Sequence, residues 1–383
     1  MDRVSKIKLL IEAARYDLCG DCLLSKEIKR TKDLNRTRWI YPELLPDGKK
    51  VRLLKVLFSN YCENDCAYCS ISKFMNIVRV SFTSEELAEI FVNLYQRGLV
   101  NGLFLSSGVK GNPEKTMREL IDTVWLLRKK YHFKGYVHLK ILPGVSLQTV
   151  EEAVRLASRV SVNLEVPNDT YLRKVSSKKE IGKDLLEKLN RISVTKESQP
   201  GILKDGFTTQ FVVGVAEESD FEILQTVDKL YRNLRLSRAY YSAFQPIPGT
   251  PLQSKPPTNL MREVRLYQAD YLIRKYGFTL KELSFDNRGF LSLTKDPKES
   301  WALQHPEFFP VEITRADFFE LLRVPGIGPK TARWILKTRE ALSTYQILNA
   351  LKFYPNLRRA LPYITIKGKR PRKPALQGEL FFI

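Results

Sequence analysis

Between residues 51 and 285, short apolar runs alternate with longer amphipathic stretches, and this pattern repeats six times. Runs such as LLKVLF and QFVVGV are almost continuously apolar, which is typical of strands buried on both faces of a parallel sheet. The longer stretches place apolar residues at helical spacing, as Leu87, Ile90 and Leu94 illustrate. Six strand–helix units predict an α/β fold, an incomplete (β/α)6 TIM-like barrel whose ligands bind at the C-terminal ends of the strands.

The same runs place the individual elements. The six strands are predicted at residues 53–58, 102–105, 136–141, 160–166, 209–215 and 239–244. The helices are predicted at residues 84–97, 113–131, 146–157, 180–193, 221–234 and 259–276. Ser84 begins the first of them with acidic residues in its first turn, as a helix start should.

All five cysteines lie in the first fifth of the chain, and three are spaced C-x3-C-x2-C directly after the first predicted strand. An odd count, tight spacing and no export signal argue against disulfides and favour metal or redox chemistry. Three thiolates on one loop can ligate three irons of a [4Fe–4S] cube and leave the fourth iron without a protein ligand. A structural zinc site would want a fourth ligand, and the nearest histidine, His132, is far along the chain. Zinc, or a purely structural role for the thiols, is the alternative.

Cys62, Cys66 and Cys69, with Tyr68 just before the third cysteine and a barrel strand before the loop, resemble the cluster motif of the radical S-adenosylmethionine (SAM) superfamily. The resemblance implies that these cysteines bind a [4Fe–4S] cluster, that Tyr68 lies beside the cofactors, and that SAM chelates the fourth iron. It implies reductive cleavage of SAM to methionine and a 5′-deoxyadenosyl radical, which removes a hydrogen atom from the substrate. An electron donor such as a flavodoxin or a ferredoxin is then expected.

Three other strand ends have counterparts in this superfamily. Ser106, Ser107 and Gly108 occupy the place of the loop that meets the SAM amino group, although the acidic residue usual there is missing. Glu165 ends the fourth predicted strand, where the resemblance implies contact with the ribose or methionine part of SAM. A salt bridge within the barrel is the alternative, because a buried carboxylate needs a partner. Gly214 lies in a stretch that resembles the one packed near adenine.

The segment ADFFELLRVPGIGPKTARWIL predicts a helix, a tight turn and a second helix that begins at Pro329. Glycines on both sides of Ile327 let successive backbone N–H groups face outward at a helix N-terminus, which suits a phosphate. The pattern resembles the helix-hairpin-helix motif of DNA-binding proteins, which contacts phosphate and does not read sequence. A helical hairpin used only for packing is the alternative. The residues predicted to contact nucleic acid are Gly326, Ile327, Gly328, Lys330, Thr331 and Arg333.

A second cysteine pair precedes the barrel. Cys19 and Cys22 are spaced C-x2-C and match no cluster loop of the superfamily. They are candidates for a hydrogen-atom donor or a redox pair near the active site. Two packed thiols without a chemical role are the alternative.

The last residues of the sequence resemble a recognition peptide. Gln377, Leu380 and Phe381 are spaced as in the Q-x-x-L-F peptide that docks on bacterial sliding clamps. An extended tail with an apolar anchor suits binding in a pocket. A sliding clamp is therefore an expected partner.

The formal net charge is +21, and it is unevenly distributed. Residues 315–373 contain fourteen Lys or Arg residues against three acidic ones. Such a field attracts polyanions, and nucleic acid is the commonest of these in a cytoplasm. Charge alone also allows a solvated basic surface that has no partner.

The N-terminus and the apolar runs indicate the compartment. Charges are scattered among the apolar positions of the first seventeen residues, which predicts an amphipathic helix and not a signal peptide. No apolar run reaches eighteen residues, so no membrane-spanning helix is expected. A cytoplasmic enzyme follows as the expectation.

Five regions are predicted: an N-terminal helical and basic extension (1–50), the partial barrel (51–285), a connector (286–313), a small all-α helix-hairpin-helix module (314–366) and a flexible basic tail (367–383). Over nearly its full length the chain resembles the DNA modification or repair radical SAM proteins that carry such a hairpin. The leading hypothesis is an enzyme that modifies or repairs a DNA base or sugar. The alternatives are a tRNA-modifying enzyme and a DNA-binding protein whose iron–sulfur cluster only senses redox state.

Overall fold

A computed structural model describes residues 2–16, 40–44, 50–339, 346 and 358–371. The predicted Cys19–Cys22 pair and the predicted clamp peptide lie outside the described residues. The chain divides into two compact units, Met1–Val264 and Arg265–Ile383. The division falls inside one long helix, and the predicted connector belongs to the second unit together with the hairpin.

The first unit contains one sheet of seven strands in the order β1 to β7. Strands β2 to β7 pair in parallel, and β1 pairs with β2 in the antiparallel sense. The six parallel strands form a half-barrel, which confirms the predicted incomplete (β/α)6 fold. The strands are β1 Ile40–Leu44, β2 Lys50–Leu57, β3 Gly102–Ser106, β4 Tyr136–Lys140, β5 Arg159–Ser161, β6 Phe207–Val213 and β7 Arg238–Ala243.

Helices connect the parallel strands, and several of them begin at a side chain that caps the helix N-terminus. Thr83 caps α2, Asn112 caps α3 with Pro113 in the first position, and Ser219 forms a capping box with Glu222 at α7. No helix among the described residues is long and apolar enough to cross a membrane. The α-helices of this unit are α1 Arg3–Ala13, α2 Ser84–Gln96, α3 Pro113–Trp125, α4 Leu147–Leu156, α5 Asp169–Val175, α6 Glu187–Ser198, α7 Asp220–Leu234 and the first turn of α8 Leu260–Tyr276. One turn of π-helix extends α3 (Leu126–Lys130), and another precedes α6 (Ile181–Leu186).

Two strands differ from the sequence-based prediction. β5 ends at Ser161, and the chain then contacts β6 through the bond from Val162 N to Thr208 O at 3.1 Å and through an isolated bridge between Glu165 and Phe211. The reason is the left-handed backbone of Glu165, whose φ of 68° interrupts a regular ladder. β1 was not predicted because its sequence contains Pro42, which cannot donate to a ladder and is tolerated on an edge strand such as this one.

The sheet is the core of the first unit. All five residues of β3 are buried, and Phe104 and Phe211 are among the largest fully buried side chains. On the outside of the sheet, helices bury an apolar stripe, as Leu87 and Phe91 do in α2. Burial on both faces is what the continuous apolar runs predict for parallel strands.

The second unit has its own apolar core. Its described helices are the rest of α8, α9 (Pro297–Gln304), α10 (Phe318–Arg323) and α11 (Pro329–Thr338). A short parallel pair of strands, β8 (Val311–Glu312) and β9 (Ile364–Thr365), is also present. The prediction of an all-α module is therefore wrong in this respect. Fully buried core residues include Ile313, Leu321, Leu322, Val324, Ala360 and Ile364.

Replacing Leu103 with alanine tests the sheet core. Leu103 is fully buried in β3, so Leu103→Ala should lower the free energy of unfolding by about 2–5 kcal/mol. Leu99, which is 40% exposed, provides the matched control, and Leu99→Ala should change it by less than about 1 kcal/mol. Chemical denaturation followed by circular dichroism measures both values, and equal losses in the two variants would contradict this assignment of the core.

Candidate active site

The three-cysteine loop leaves β2 at its C-terminal end and is fixed by backbone contacts on two sides. Glu63 N donates to Val109 O at 2.9 Å, which ties the loop to the segment after β3. Ala67 N donates to Val175 O at 2.8 Å, which ties it to the end of α5. The loop conformation is therefore set by the segment after β3 and the end of α5 and not by its own sequence alone.

Asp65 is a third anchor of this loop. Its buried carboxylate accepts hydrogen bonds from Ser176 Oγ at 2.7 Å, from Ser177 N at 3.2 Å and from the Ser177 hydroxyl. Burial alone would raise the pKa of Asp65, but the hydrogen bonds from Ser177 and Ser176 outweigh it and lower that pKa to about 2. The loop is thus held by a carboxylate that stays ionised throughout the physiological range.

Cys62, Cys66 and Cys69 line the same cavity and carry free thiols. Cys66 is buried, and the other two are half-buried. Burial raises the pKa of Cys62, and burial together with the neighbouring Cys66 raises that of Cys69 to about 12. Without a bound cation, the site therefore disfavours three thiolates side by side, and iron would stabilise them.

The cavity has a volume of about 240 Å³ and opens at the C-terminal ends of the strands. A single water needs only roughly 10–15 Å³ of such space, so a ligand of many atoms fits. No group of three or more His, Cys, Asp or Glu side chains converges on one metal ion in the described part of the chain. Cys62, Cys66 and Cys69 line one cavity of this size, as the ligands of a cluster would.

Gly108 brings the segment after β3 against the cysteine loop. A Cβ on Gly108 would lie 2.1 Å from Tyr61 O and 3.1 Å from Cys62 Cβ, so only glycine fits. Ser106 and Ser107 precede it and also line the cavity. Sequence analysis placed these three residues at the site, and the structure brings them beside the cysteines.

Glu165 lies in the cavity wall and has a cationic neighbour that the sequence did not reveal. Lys179 Nζ is 3.9 Å from Glu165 Oε1, and both side chains are more than nine-tenths buried. Burial alone would lower the pKa of Lys179, but Cys66 and Glu165 outweigh it and raise that pKa above its ordinary value. Lys179 is therefore a fixed ammonium between a thiol and a carboxylate.

Tyr68 completes this charged group. Burial and the Glu165 carboxylate raise the pKa of its phenol well above the ordinary value, and the phenol hydrogen-bonds to Glu165. Glu165 thus has both a salt-bridge partner and a phenol partner, as a buried carboxylate requires. The salt bridge that was the alternative to a SAM contact is present, and its cation, Lys179, lies in the loop before the π-helix that precedes α6.

Gly214 has a structural requirement that the resemblance did not indicate. It is not among the residues that line the cavity, and its backbone N–H donates to the Glu218 carboxylate. With φ at 82° and a Cβ position only 2.2 Å from Thr258 Oγ1, it is required by the turn after β6. Gln210 and Val212 of β6 line the cavity instead.

Several further polar side chains line the cavity that sequence analysis did not single out. They share a position at or just beyond the C-terminal ends of the parallel strands, which was the available signal. These residues are Lys140, Asn163, Gln210, Ser242 and Gln245.

In the second unit, α10, a tight turn and α11 form the predicted helical hairpin. Gly326 has φ at 85°, and Gly328 is the N-cap of α11, where no side chain caps the helix. Ile327 is buried, and its N–H donates to Val324 O at 3.1 Å. The prediction of successive outward N–H groups is therefore wrong at Ile327, because the turn closes on itself through this bond.

The polar residues of α11 lie where a polyanion can reach them. Lys330 and Arg333 are exposed, and Thr331 is half-buried. The Arg333 guanidinium lies 5.5 Å from the centre of the Phe318 ring, which orients its stem along the hairpin. Two cations thus lie within the first turns of an uncapped helix N-terminus, a favourable position for an anion.

A half-barrel with three thiols at the carboxyl ends of its strands is an α/β architecture with the ligands that an iron–sulfur cluster needs. Residues 56–230 form a domain that matches the family model of the Radical SAM superfamily. The superfamily uses a [4Fe–4S] cluster and SAM, which are therefore the cofactors of this domain. No curated protein matches this sequence.

Solved structures similar to this chain include HydG, a maturase of the [FeFe]-hydrogenase, at 15% identity and a TM-score of 0.45 over 57% of this chain and 48% of that one. Methylornithine synthase (PylB) matches at 19% identity and a TM-score of 0.42 over 55% and 60%. The maturase HydG from Carboxydothermus hydrogenoformans matches at 14% identity and a TM-score of 0.46 over 78% and 77%. This chain spans about half the length of the first of these structures.

Replacing Gly108 with alanine tests the contact between the two loops. Because the new Cβ would collide with Tyr61 O, Gly108→Ala should displace the cysteine loop and remove most of the iron that the wild type binds on anaerobic reconstitution. Gly182→Ala is the control, since its Cβ would meet only Asp169 Oδ2 at 3.9 Å. Iron and sulfide analysis gives the result, and full loading of the Gly108 variant would refute the contact.

Proposed function

We propose that this chain is a radical SAM enzyme in which Cys62, Cys66 and Cys69 ligate the [4Fe–4S] cluster. The observation that carries the proposal is that these are the three cysteines of the described residues, and all of them line one cavity at the strand ends. When bound, the cluster and SAM together supply a 5′-deoxyadenosyl radical that removes a hydrogen atom from the substrate. The protein's own residues hold the cofactors and exclude water.

The charged side chains of the cavity wall are suited to bind the carboxylate, amino and ribose hydroxyl groups of SAM. The Lys179 ammonium is positioned to bind a carboxylate, and it is held there by Glu165. Glu165, which also accepts from Tyr68, is able to accept from an amino group or a ribose hydroxyl. Backbone carbonyls and hydroxyls of Ser106 and Ser107 offer further acceptors for the amino group, since no acidic side chain stands there.

We propose DNA as the substrate class, with a base or sugar as the reacting part. The hairpin of the second unit supplies an uncapped helix N-terminus with exposed Lys330 and Arg333, and the surrounding sequence is strongly basic. Such a surface holds phosphates without reading bases. A nucleotide must leave a duplex before it can enter a cavity of this kind, which costs least at a damaged or unpaired base.

Anaerobic reconstitution followed by dithionite and SAM tests the enzyme assignment. The wild type should release 5′-deoxyadenosine, and the three single variants Cys62→Ala, Cys66→Ala and Cys69→Ala should release none, because a cluster needs all three thiolates. Chromatography of the quenched reaction measures the product. Release of no 5′-deoxyadenosine by the wild type, with or without DNA, would favour a redox sensor.

Binding to duplex DNA and to tRNA tests the substrate class. Lys330→Ala should weaken DNA binding and reduce the slope of log affinity against log salt by about one, because one phosphate contact is lost. Lys115→Ala, which removes an exposed lysine of the first unit, is the control and should change neither quantity. Fluorescence anisotropy over a salt series measures both, and tighter binding of tRNA would shift the assignment to RNA.

A further inference from the structure

A buried lysine lies behind the turn of the hairpin. Lys298 belongs to the first turn of α9, and only 9% of the residue is exposed. Its Nζ donates to Leu322 O at 2.8 Å and to Ile327 O at 2.5 Å. Leu322 lies near the end of α10, and Ile327 directly precedes Gly328, the N-cap of α11. One ammonium therefore joins the two ends of the turn.

Each partner in this contact needs the other. Carbonyls in the last turn of a helix have no intrahelical donor, and a buried carbonyl without a donor costs free energy. A buried ammonium is also unfavourable unless its hydrogens are donated. The contact between Lys298 and the carbonyls of Leu322 and Ile327 meets both requirements, so the turn conformation and the lysine position depend on each other.

No carboxylate neutralises this ammonium among the described residues. Asp296, the N-cap of α9, is close enough to act on Lys298 but forms its ion pair with Arg359, as Glu299 does at 2.8 Å. On α10, Arg323 pairs with Glu282 at 2.5 Å. The hydrogen-bond acceptors of the Lys298 ammonium are thus backbone carbonyls, which carry no net charge.

The remaining neighbour is aromatic. The Lys298 ammonium lies 4.8 Å from the centre of the Tyr276 ring. The Tyr276 hydroxyl would be 3.2 Å from a Cβ on Gly328, so it reaches the N-cap of α11. Burial lowers the pKa of Lys298 to about 7, an effect that Asp296 opposes and Arg359 reinforces. The pKa of Lys298 therefore lies in a range where a bound anion is able to raise it.

We propose that Lys298 is the positioning residue of the nucleic-acid hairpin: it fixes the turn through two carbonyls and adds positive charge behind the α11 N-terminus where a phosphodiester binds. The inference rests on the proposed function, in which the hairpin holds a nucleic-acid backbone. The ammonium and the helix dipole act on the phosphate in the same direction. Lys330 and Arg333 contact the phosphate directly, whereas Lys298 acts through the turn.

The experiment compares full-length wild type, Lys298→Met and Lys298→Arg for affinity toward one DNA duplex at constant ionic strength. Lys298→Met should weaken binding on the order of tenfold, because it removes a charge and two bonds to buried carbonyls. Lys298→Arg should retain most of the affinity, since its guanidinium keeps the charge and the donors. Fluorescence anisotropy gives the affinities, and circular dichroism verifies the fold of each variant.

The pH profile separates this role from a merely structural one. Phosphate favours the charged ammonium, so wild-type affinity should fall as the pH rises through about 7. The affinity of Lys298→Arg should stay constant over the same range, because arginine does not titrate there. If Lys298→Met does not fold, this comparison of wild type with Lys298→Arg decides the matter.

The outcomes distinguish the two proposals. A wild type that does not bind DNA overturns the nucleic-acid function and the role of Lys298 together. Binding that Lys330→Ala weakens while Lys298→Met leaves it unchanged overturns the role of Lys298 alone. Parallel pH profiles of wild type and Lys298→Arg also overturn it, and a profile that flattens only in Lys298→Arg supports it.

Discussion

The parallel register of β2 to β7 determines where chemistry can take place in this chain. It puts the carboxyl ends of six strands along one edge of the sheet. The cysteine loop, the Ser106–Gly108 segment and Lys140 all leave the sheet at that edge and therefore surround one cavity. On antiparallel strands the same residues would alternate between opposite edges. The active site is a consequence of topology before it is a consequence of any single side chain.

The cavity also depends on the balance of its buried charges. Glu165 and the thiol of Cys66 are both buried, and both face the Lys179 ammonium. A buried carboxylate is unfavourable without a partner, and the fixed Lys179 cation supplies one for Glu165 beside the Cys66 thiol. The second unit also contains a buried lysine, Lys298, but its ammonium donates to backbone carbonyls and not to side chains. In both units a buried lysine holds a loop that carries proposed function.

The sequence was sufficient to predict those features of the fold and the site that depend on a local pattern of residues. The six parallel strands follow from continuous apolar runs, and the cysteine loop follows from its spacing after β2. Lys179 was missed because its neighbours Cys66 and Glu165 are distant in sequence and meet only in the folded sheet. Gly214 is required by the turn after β6 through its positive φ, and a glycine required by a turn looks like one required by a ligand in sequence. The buried contacts of Lys298 likewise join α9 to a turn about thirty residues away, which no periodicity reveals.

The central proposal is that Cys62, Cys66 and Cys69 hold a [4Fe–4S] cluster to which SAM binds. Electron paramagnetic resonance of the reconstituted, dithionite-reduced protein tests it most directly, with spectra recorded before and after addition of SAM. Binding of SAM to the cluster should change the cluster signal, and isotopic labelling of the SAM amino nitrogen should change the nitrogen hyperfine coupling of that signal. A reduced cluster whose signal is identical with and without SAM would contradict the account.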